Sequence, residues 1–282
     1  MRVTHLIPTY NESENIRRLL PKLQKFYLRH RRHKFCTLII DDSTDDTCKL
    51  IKQFQKKDPS IISKLGPRQG LGTAMVYGYR YAMRHLKPDI IITNEADFAY
   101  NHEKISLMLQ KIAVGYDVVV ASRHCPGGTT NGWTWSRHLN HWIANTFFAT
   151  WIAGNSYVSD HNGAFRAIRV KTILDKIVWF GFPKGFAFLN YLLYVISTKT
   201  NRFYEFPTTY HFRTRGESKI SFNQKYLLSY LYNIYEYITF CLYIRFKNCQ
   251  NLLNPPPNSP KPPPYLHLHR RNPPLSRPRS AV

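Results

Sequence analysis

Asp89-Ile90-Ile91-Ile92-Thr93-Asn94-Glu95-Ala96-Asp97 decides how this chain is read. Asp89–Thr93 has the apolar continuity of a buried strand. Two carboxylates follow it at once. In an extended segment residues two apart face the same way, so Glu95 and Asp97 are expected to point at one spot beyond the sheet edge. Two hard oxygen ligands so placed suit a divalent cation, which also grips substrate phosphates. Spacing alone leaves an ordinary surface acidic pair as the alternative; the position at a strand end favours the metal.

The same pattern repeats on either side. Val3–Ile7 reads as a strand, and a helix with Ile16, Leu19, Leu20 and Leu23 on one face follows, capped by Asn11 or Ser13. Phe35–Ile40 is a second strand, followed by a helix from about Asp46 with Leu50, Ile51 and Phe54 inward. Gly70–Leu86 is a third helix and Val118–Ser122 a further strand. Helices are expected at Val170–Trp179 and Phe186–Ser197, with a strand at Phe203–Phe206. This alternation implies an α/β fold with a mostly parallel central sheet flanked by helices. Such sheets bind ligands beyond the carboxyl ends of their strands. Those ends carry Tyr10-Asn11-Glu12, Asp41-Asp42, Glu95-Ala96-Asp97 and Ser122-Arg123.

Lys and Arg number 40 against 17 Asp and Glu, a net charge of +23 in 282 residues. A chain so basic is drawn to polyanions: nucleic acid, an anionic leaflet or phosphorylated ligands. Five cysteines without a CxxC pair point to neither a zinc site nor a disulfide framework. No signal peptide and no clean membrane span are expected. Residues 223–248 form a Tyr-rich apolar segment ending in Arg245 and Lys247, suited to a helix in the headgroup region, with a core helix as the alternative. Glu236 argues against a full span. Residues 249–282 are basic and Pro-rich, too poor in apolar surface to order themselves.

Three further stretches carry candidate chemistry. Asp41-Asp42 and the acids that follow can accept hydrogen bonds from a ribose or a base, or cap the next helix. Arg68-Gln69-Gly70-Leu71-Gly72 opens a helix; its glycines allow either close approach of an anion or tight helix packing. Arg213-Thr214-Arg215-Gly216-Glu217-Ser218-Lys219 gathers three cations around one glycine, a phosphate grip or an exposed basic loop.

Taken in order, Pro8-Thr9-Tyr10-Asn11-Glu12, Asp41-Asp42, Gly70-Leu71-Gly72, Glu95-Ala96-Asp97, Ser122-Arg123, Gly127-Gly128, Trp133, Arg137, Asp160, Gly163-Ala164-Phe165-Arg166 and Arg213–Lys219 resemble family 2 glycosyltransferases. The dolichol-phosphate (polyprenyl-phosphate) mannosyltransferase branch is the nearest in kind. The resemblance implies a GT-A fold over residues 1–222 and a divalent cation, Mg²⁺ or Mn²⁺, on Glu95 and Asp97. It implies a nucleotide-sugar donor, most simply GDP-mannose, with Pro8, Tyr10, Glu12, Ile40, Asp42 and Ala96 on the substrate. Arg123, Arg213, Arg215 and Lys219 are implied to contact donor or acceptor phosphate. Asp160, Arg123 and Arg137 are implied to carry catalysis.

The implied acceptor is a polyprenyl phosphate, which attacks the donor's anomeric carbon with inversion at the cytoplasmic side of a membrane. A membrane-anchoring partner subunit fits that setting. Transfer of glucose or another sugar, a nucleic-acid-binding protein and an inactive homologue are the alternatives. No RNA-recognition, zinc-finger or helix-turn-helix pattern supports the second. Departures from the family pattern include Glu95 for the usual Asp, and Ala99 where a further polar ligand is common.

Overall fold

The computed structural model describes residues 1–211 and 227–253. The first half alternates as expected: β1 (Arg2–Thr9), α1 (Ser13–Arg29), β2 (Lys34–Asp41), α2 (Thr47–Lys57), β3 (Ile61–Leu65), α3 (Leu71–Tyr81) and β4 (Ile90–Thr93). α3 runs on into a π-helical turn, Ala82–Leu86. Then come α4 (Ile105–Ala113), β5 (Val118–Ser122), β6 (Thr129–Asn131) and α5 (Trp135–Trp142), which continues as a π-helical stretch, Ile143–Ile152. β7 (Arg166–Arg169), α6 (Ala187–Ser197), β8 (Phe203–Pro207), β9 (Thr209–His211) and α7 (Leu227–Leu253) follow among the described residues.

Seven strands form one sheet in the order β3-β2-β1-β4-β7-β5-β8. All are parallel to their neighbours except β7, which runs antiparallel to both β4 and β5. The order turns back at β1, whose neighbours β2 and β4 leave it in opposite directions. That switch point opens a crevice at the carboxyl edge. Alternate strand residues supply opposite faces. Leu6, Leu38, Ile40 and Ile91 join Tyr79 of α3 and Phe188 of α6 on one side. Val3, Ile90, Ile92 and Val119 meet Met108 and Ile112 of α4 on the other. Ile7 and Ile39 pack beneath α1 and α2.

Several expectations need correction. Val170–Trp179 is not a helix: it is a series of tight turns with one short 3₁₀ segment, Leu174–Lys176. Ile173, Leu174 and Ile177 are buried as a helical spacing demands, but i→i+3 bonds such as Ile177 N to Leu174 O satisfy the backbone. α4 escaped the sequence reading although Ile105, Met108, Leu109 and Ile112 are spaced for a helix and Asn101 caps its entry. Edge strand β3 was missed because Ser63 and Lys64 interrupt its apolar run. β6 and β9 form a separate two-stranded parallel sheet that no local pattern announced. The Arg213–Lys219 loop lies outside the described residues; of the tail expected over 249–282, residues 249–253 belong to α7 and the rest lies outside the described residues.

Candidate active site

β1 and β2 end side by side, with Pro8 opposite Ile40 and Thr9 opposite Asp41. This register brings two segments more than thirty residues apart into one wall. Asp41 is buried and accepts from Thr9 Oγ1 (2.8 Å) and Ser43 Oγ (2.6 Å). Asn11 adopts a left-handed backbone (φ 57°) and its Oδ1 accepts from Thr44 N (2.8 Å) and Asp45 N (3.3 Å). It therefore ties the two loops together instead of capping α1, which begins without a side-chain cap. Tyr10 is exposed at the rim, Pro8 and Glu12 are half-buried, and Ile40 is buried beneath them. Asp42 Oδ1 accepts from Arg68 N (2.9 Å). Burial raises the Asp42 carboxyl above its ordinary value; the Arg68 amide opposes this and Asp41 adds to it.

The glycines that open α3 serve packing. Gly72 N and Thr73 N donate to Lys184 O (2.7 and 3.4 Å), so the first amides of the helix are occupied by protein. A Cβ on Gly72 would lie 2.1 Å from the Pro183 carbonyl oxygen. Of the two readings of this motif, helix packing is the one the contacts support.

Asp97 sits on a bend, residues 96–98, that begins directly after Glu95, so it does not continue the strand. Phe98 is left-handed (φ 60°), which curls the chain so that Asp97 Oδ1 accepts from Ala99 N (3.1 Å). Asp97 is buried and Glu95 half-buried; Ala96 is buried among Ile7 and Ile16, and Ala99 is buried too. Burial opposes the charge on Arg123, but Asp160 first and Glu95 last among the neighbouring groups hold its pKa above the ordinary value; burial chiefly raises Tyr100, with Glu95 a lesser cause. Two carboxylates two residues apart are a hard donor set that fits Mg²⁺ or Mn²⁺ better than a soft metal.

On the far side, β5 delivers Arg123 and the loop before β7 delivers Asp160. Asp160 Oδ2 accepts from Arg123 Nε (2.7 Å) and from its backbone N (3.0 Å), and Oδ1 accepts from Nη2 (2.7 Å). Burial by itself would raise the Asp160 carboxyl, but the Arg123 charge and hydrogen bonds outweigh it and hold Asp160 well below the usual carboxylate range. Glu205 anchors the loop from below, accepting from Ser159 N (2.8 Å) and Asp160 N (3.0 Å). Trp133 lies between the two arginines, 5.6 Å from Arg123 and 5.1 Å from Arg137, while Tyr210 of β9 covers Arg123 at 5.4 Å.

In front of Arg123 opens a cavity of about 310 Å³, lined also by His124, Thr130, Trp133, His138, His141 and Trp142. His124 and His141 share an Nε2···Nε2 contact of 2.8 Å. Burial lowers both their pKa values, with Arg123 lowering them further against the pull of Asp160. Sequence reading missed these two, although His141 lies one turn beyond Arg137 and so shares its helix face. With Asp160 they are the group of three potential metal ligands found among the described residues. Both Asp160 oxygens already accept from a guanidinium, which makes this a poor seat for a second cation.

Residues 4–175 match Glycosyl transferase family 2, and the chain belongs to that family. It is a glycosyltransferase with a GT-A fold. It is 28% identical over 235 residues to a dolichol-phosphate mannosyltransferase of Pyrococcus furiosus, covering 83% of this chain but only 63% of that protein's length. It is 29% identical over 224 residues to a polyprenol monophosphomannose synthase of Mycolicibacterium smegmatis, covering 78% of this chain and 81% of the relative. An undecaprenyl-phosphate mannosyltransferase of Micrococcus luteus is also 29% identical, over 78% of this chain and 88% of its own. Among solved structures, mannosyl-3-phosphoglycerate synthase from Rubrobacter xylanophilus superposes with a TM-score of 0.61 at 14% identity, covering 88% of this chain and 75% of that one. Glucosyl-3-phosphoglycerate synthase from Mycobacterium tuberculosis, in complex with Mn²⁺, UDP and phosphoglyceric acid, gives 0.57 at 14% identity over 85% and 78% of the two chains.

Proposed function

We propose that the chain transfers a mannosyl group from GDP-mannose to a polyprenyl phosphate, with inversion at the anomeric carbon. The observation that carries this reading is Arg123. It is a buried guanidinium held by Asp160 and facing an open cavity. An anion entering the cavity would meet a fixed cation flanked by Arg137. The three relatives named above, all polyprenyl-type mannosyltransferases, support the acceptor class and the sugar.

In this reading the acceptor phosphate is the nucleophile. Its second pKa is near 6, so it is largely ionised at neutral pH and no residue must remove a proton from it. An acceptor oxygen forms the new bond to C1 while the bond from C1 to the nucleotide diphosphate breaks, its electron pair leaving with the diphosphate. The site supplies positioning and charge neutralisation. Glu95 and Asp97 would hold a divalent cation, which neutralises charge on a leaving diphosphate. Arg123 and Arg137 hold the incoming phosphate, and Asp160 orients Arg123. Arg213, Arg215 and Lys219 are assigned to the same phosphates on sequence grounds alone. Pro8, Tyr10, Glu12 and Asp42 border the nucleoside, with Ile40 and Ala96 packed beneath.

A polyprenyl chain has to be met at a membrane surface. No helix of the described residues is long and apolar enough to cross a membrane. α5 and its continuation instead expose Trp135, Trp142 and Trp151, and α7 beside it exposes Leu231, Tyr235, Leu242 and Phe246. Indole and phenol rings favour the headgroup region, and a net charge of +23 favours an anionic leaflet. We assign this face to the cytoplasmic side of a membrane, where an anchoring subunit has room to act.

Transfer from GDP-mannose to undecaprenyl or dolichyl phosphate, with and without Mg²⁺ or Mn²⁺, tests the reading. Mannosyl lipid formed only with the cation supports it. Product from UDP-glucose but not GDP-mannose would replace the sugar and keep the reaction class. No product with any donor would sink the proposal.

A further inference from the structure

Glu236 is the residue that argues against a membrane-spanning α7, and the structure gives it a different role. Its carboxylate is buried and points away from the exposed aromatic face. Oε1 accepts from Lys184 N (2.6 Å) and Oε2 from Gly185 N (2.7 Å). One turn earlier, Asn233 Oδ1 accepts from Phe186 N (3.1 Å). These three amides lead into α6, which has no side-chain cap of its own; α7 supplies one from outside. The carbonyl of Lys184 faces the other way and accepts from Gly72 N at the start of α3. Just before α3, Arg68 N donates to Asp42. Hydrogen bonds and the backbone of residues 68–72 thus link α7 to the nucleotide wall.

The next residue on α7 addresses the opposite side. Tyr237 Oη lies 3.0 Å from Asn162 Oδ1 and 3.0 Å from Ala144 O, and shares its one proton between these acceptors. Asn162 N donates to Asp160 Oδ1 (3.2 Å), the carboxylate that holds Arg123. Consecutive helical residues project about 100° apart, so adjacent positions can reach two different loops.

We propose that Glu236 and Tyr237 are positioning residues: through them α7 sets both halves of the active site, Glu236 the nucleotide side and Tyr237 the Asp160–Arg123 pair. The assignment of sides rests on the function proposed above. Neither residue lines the cavity in front of Arg123. A contiguous set of contacts is not by itself coupling, and kinetics must separate the two arms.

Glu236→Gln tests the first arm. Glutamine keeps the shape but turns an NH₂ towards one of two N–H donors, leaving that amide unsatisfied. Loss of a charge-assisted bond of this kind corresponds to roughly a tenfold effect. In the full chain, E236Q is expected to raise the donor KM about tenfold and leave the acceptor KM unchanged. Tyr237→Phe is expected to raise the acceptor KM or lower kcat several-fold and leave the donor KM unchanged. Titration of GDP with Mg²⁺, followed by intrinsic fluorescence, keeps the first arm testable if no transfer is found: E236Q should bind GDP about tenfold more weakly than Y237F does. If both variants lower the melting temperature while GDP affinity and both KM values stay at wild-type levels, the residues are merely structural and the proposal is wrong. If the two variants move the same parameter, the division of sides is wrong.

Discussion

At the residue scale, the Asp160–Arg123 pair concentrates the most risk. Removing one partner of a buried ion pair strands the other, a cost of about 3–5 kcal/mol. Asp160→Asn is therefore expected to lower unfolding stability by about that amount, and to lower kcat/KM for the acceptor by at least roughly a hundredfold. Urea unfolding and steady-state kinetics check the two parts; full activity would remove Asp160 from the mechanism. Buried imidazoles give a pH prediction. Burial chiefly lowers His161 and His102 to about 4 and His5 to about 3. The unfolded chain takes up these protons near pH 6.5, whereas the folded chain resists them. Their contribution is complete above pH 6.5 and is lost as pH falls towards 4. The melting temperature should thus drop steeply between pH 6.5 and 4.5, and His161→Asn, if it folds, should flatten that slope.

Elements set the next scale. The turn at Pro183–Phe186 is gripped by α3 on one side and by α7 on the other, which leaves no room for a methyl group at Gly72. Because the obstacle is a backbone carbonyl, Gly72→Ala must shift main chain, and overpacking of this kind costs about 1–3 kcal/mol. A lowered melting temperature together with a raised donor KM is the expected result; a change in neither would show that the two segments are less tightly joined than the contacts indicate. α7 also illustrates the limits of local pattern. Its Tyr-rich sequence suggested either an interfacial or a core helix, and the fold buries one face of it and leaves the other exposed. Cys241, Ile244 and Glu236 are buried, while Leu231, Tyr235 and Phe246 are exposed. Which residues turned inward was not legible, because that depends on α6 and the 143–152 stretch as partners.

For the whole molecule, charge and aromatic exposure act together. The chain should sediment with vesicles containing anionic lipid, and rising salt should weaken the attraction as the screening length falls below about 10 Å. Trp135→Ala with Trp151→Ala should reduce binding roughly a hundredfold or more at constant charge, since each buried aromatic is worth about 1.5–3 kcal/mol. Binding unchanged by the double substitution would move the contact elsewhere on the surface. A Glu95→Gln or Asp97→Asn variant should shift the Mn²⁺ dependence of transfer to higher concentration without altering vesicle binding, separating the metal from the membrane.

The chain alone determined where strands end and what stands there. Val3–Ile7, Phe35–Ile40 and Ile90–Ile92 announce themselves within five or six residues, and the polar clusters after them fall on one edge because parallel strands share a direction. Motif order over those clusters was enough to reach the family. Only the tertiary structure decided that β7 reverses, that Asn11 binds a loop rather than a helix, and that Asp160 closes on Arg123 across 37 positions. Tertiary structure also turned Glu236 inward onto Lys184 and Gly185. Side-chain alternation is a local property set by backbone sterics over a few residues. The partner of a buried charge is chosen by chain topology, because the gain of burial and pairing exists only once distant loops have been brought together.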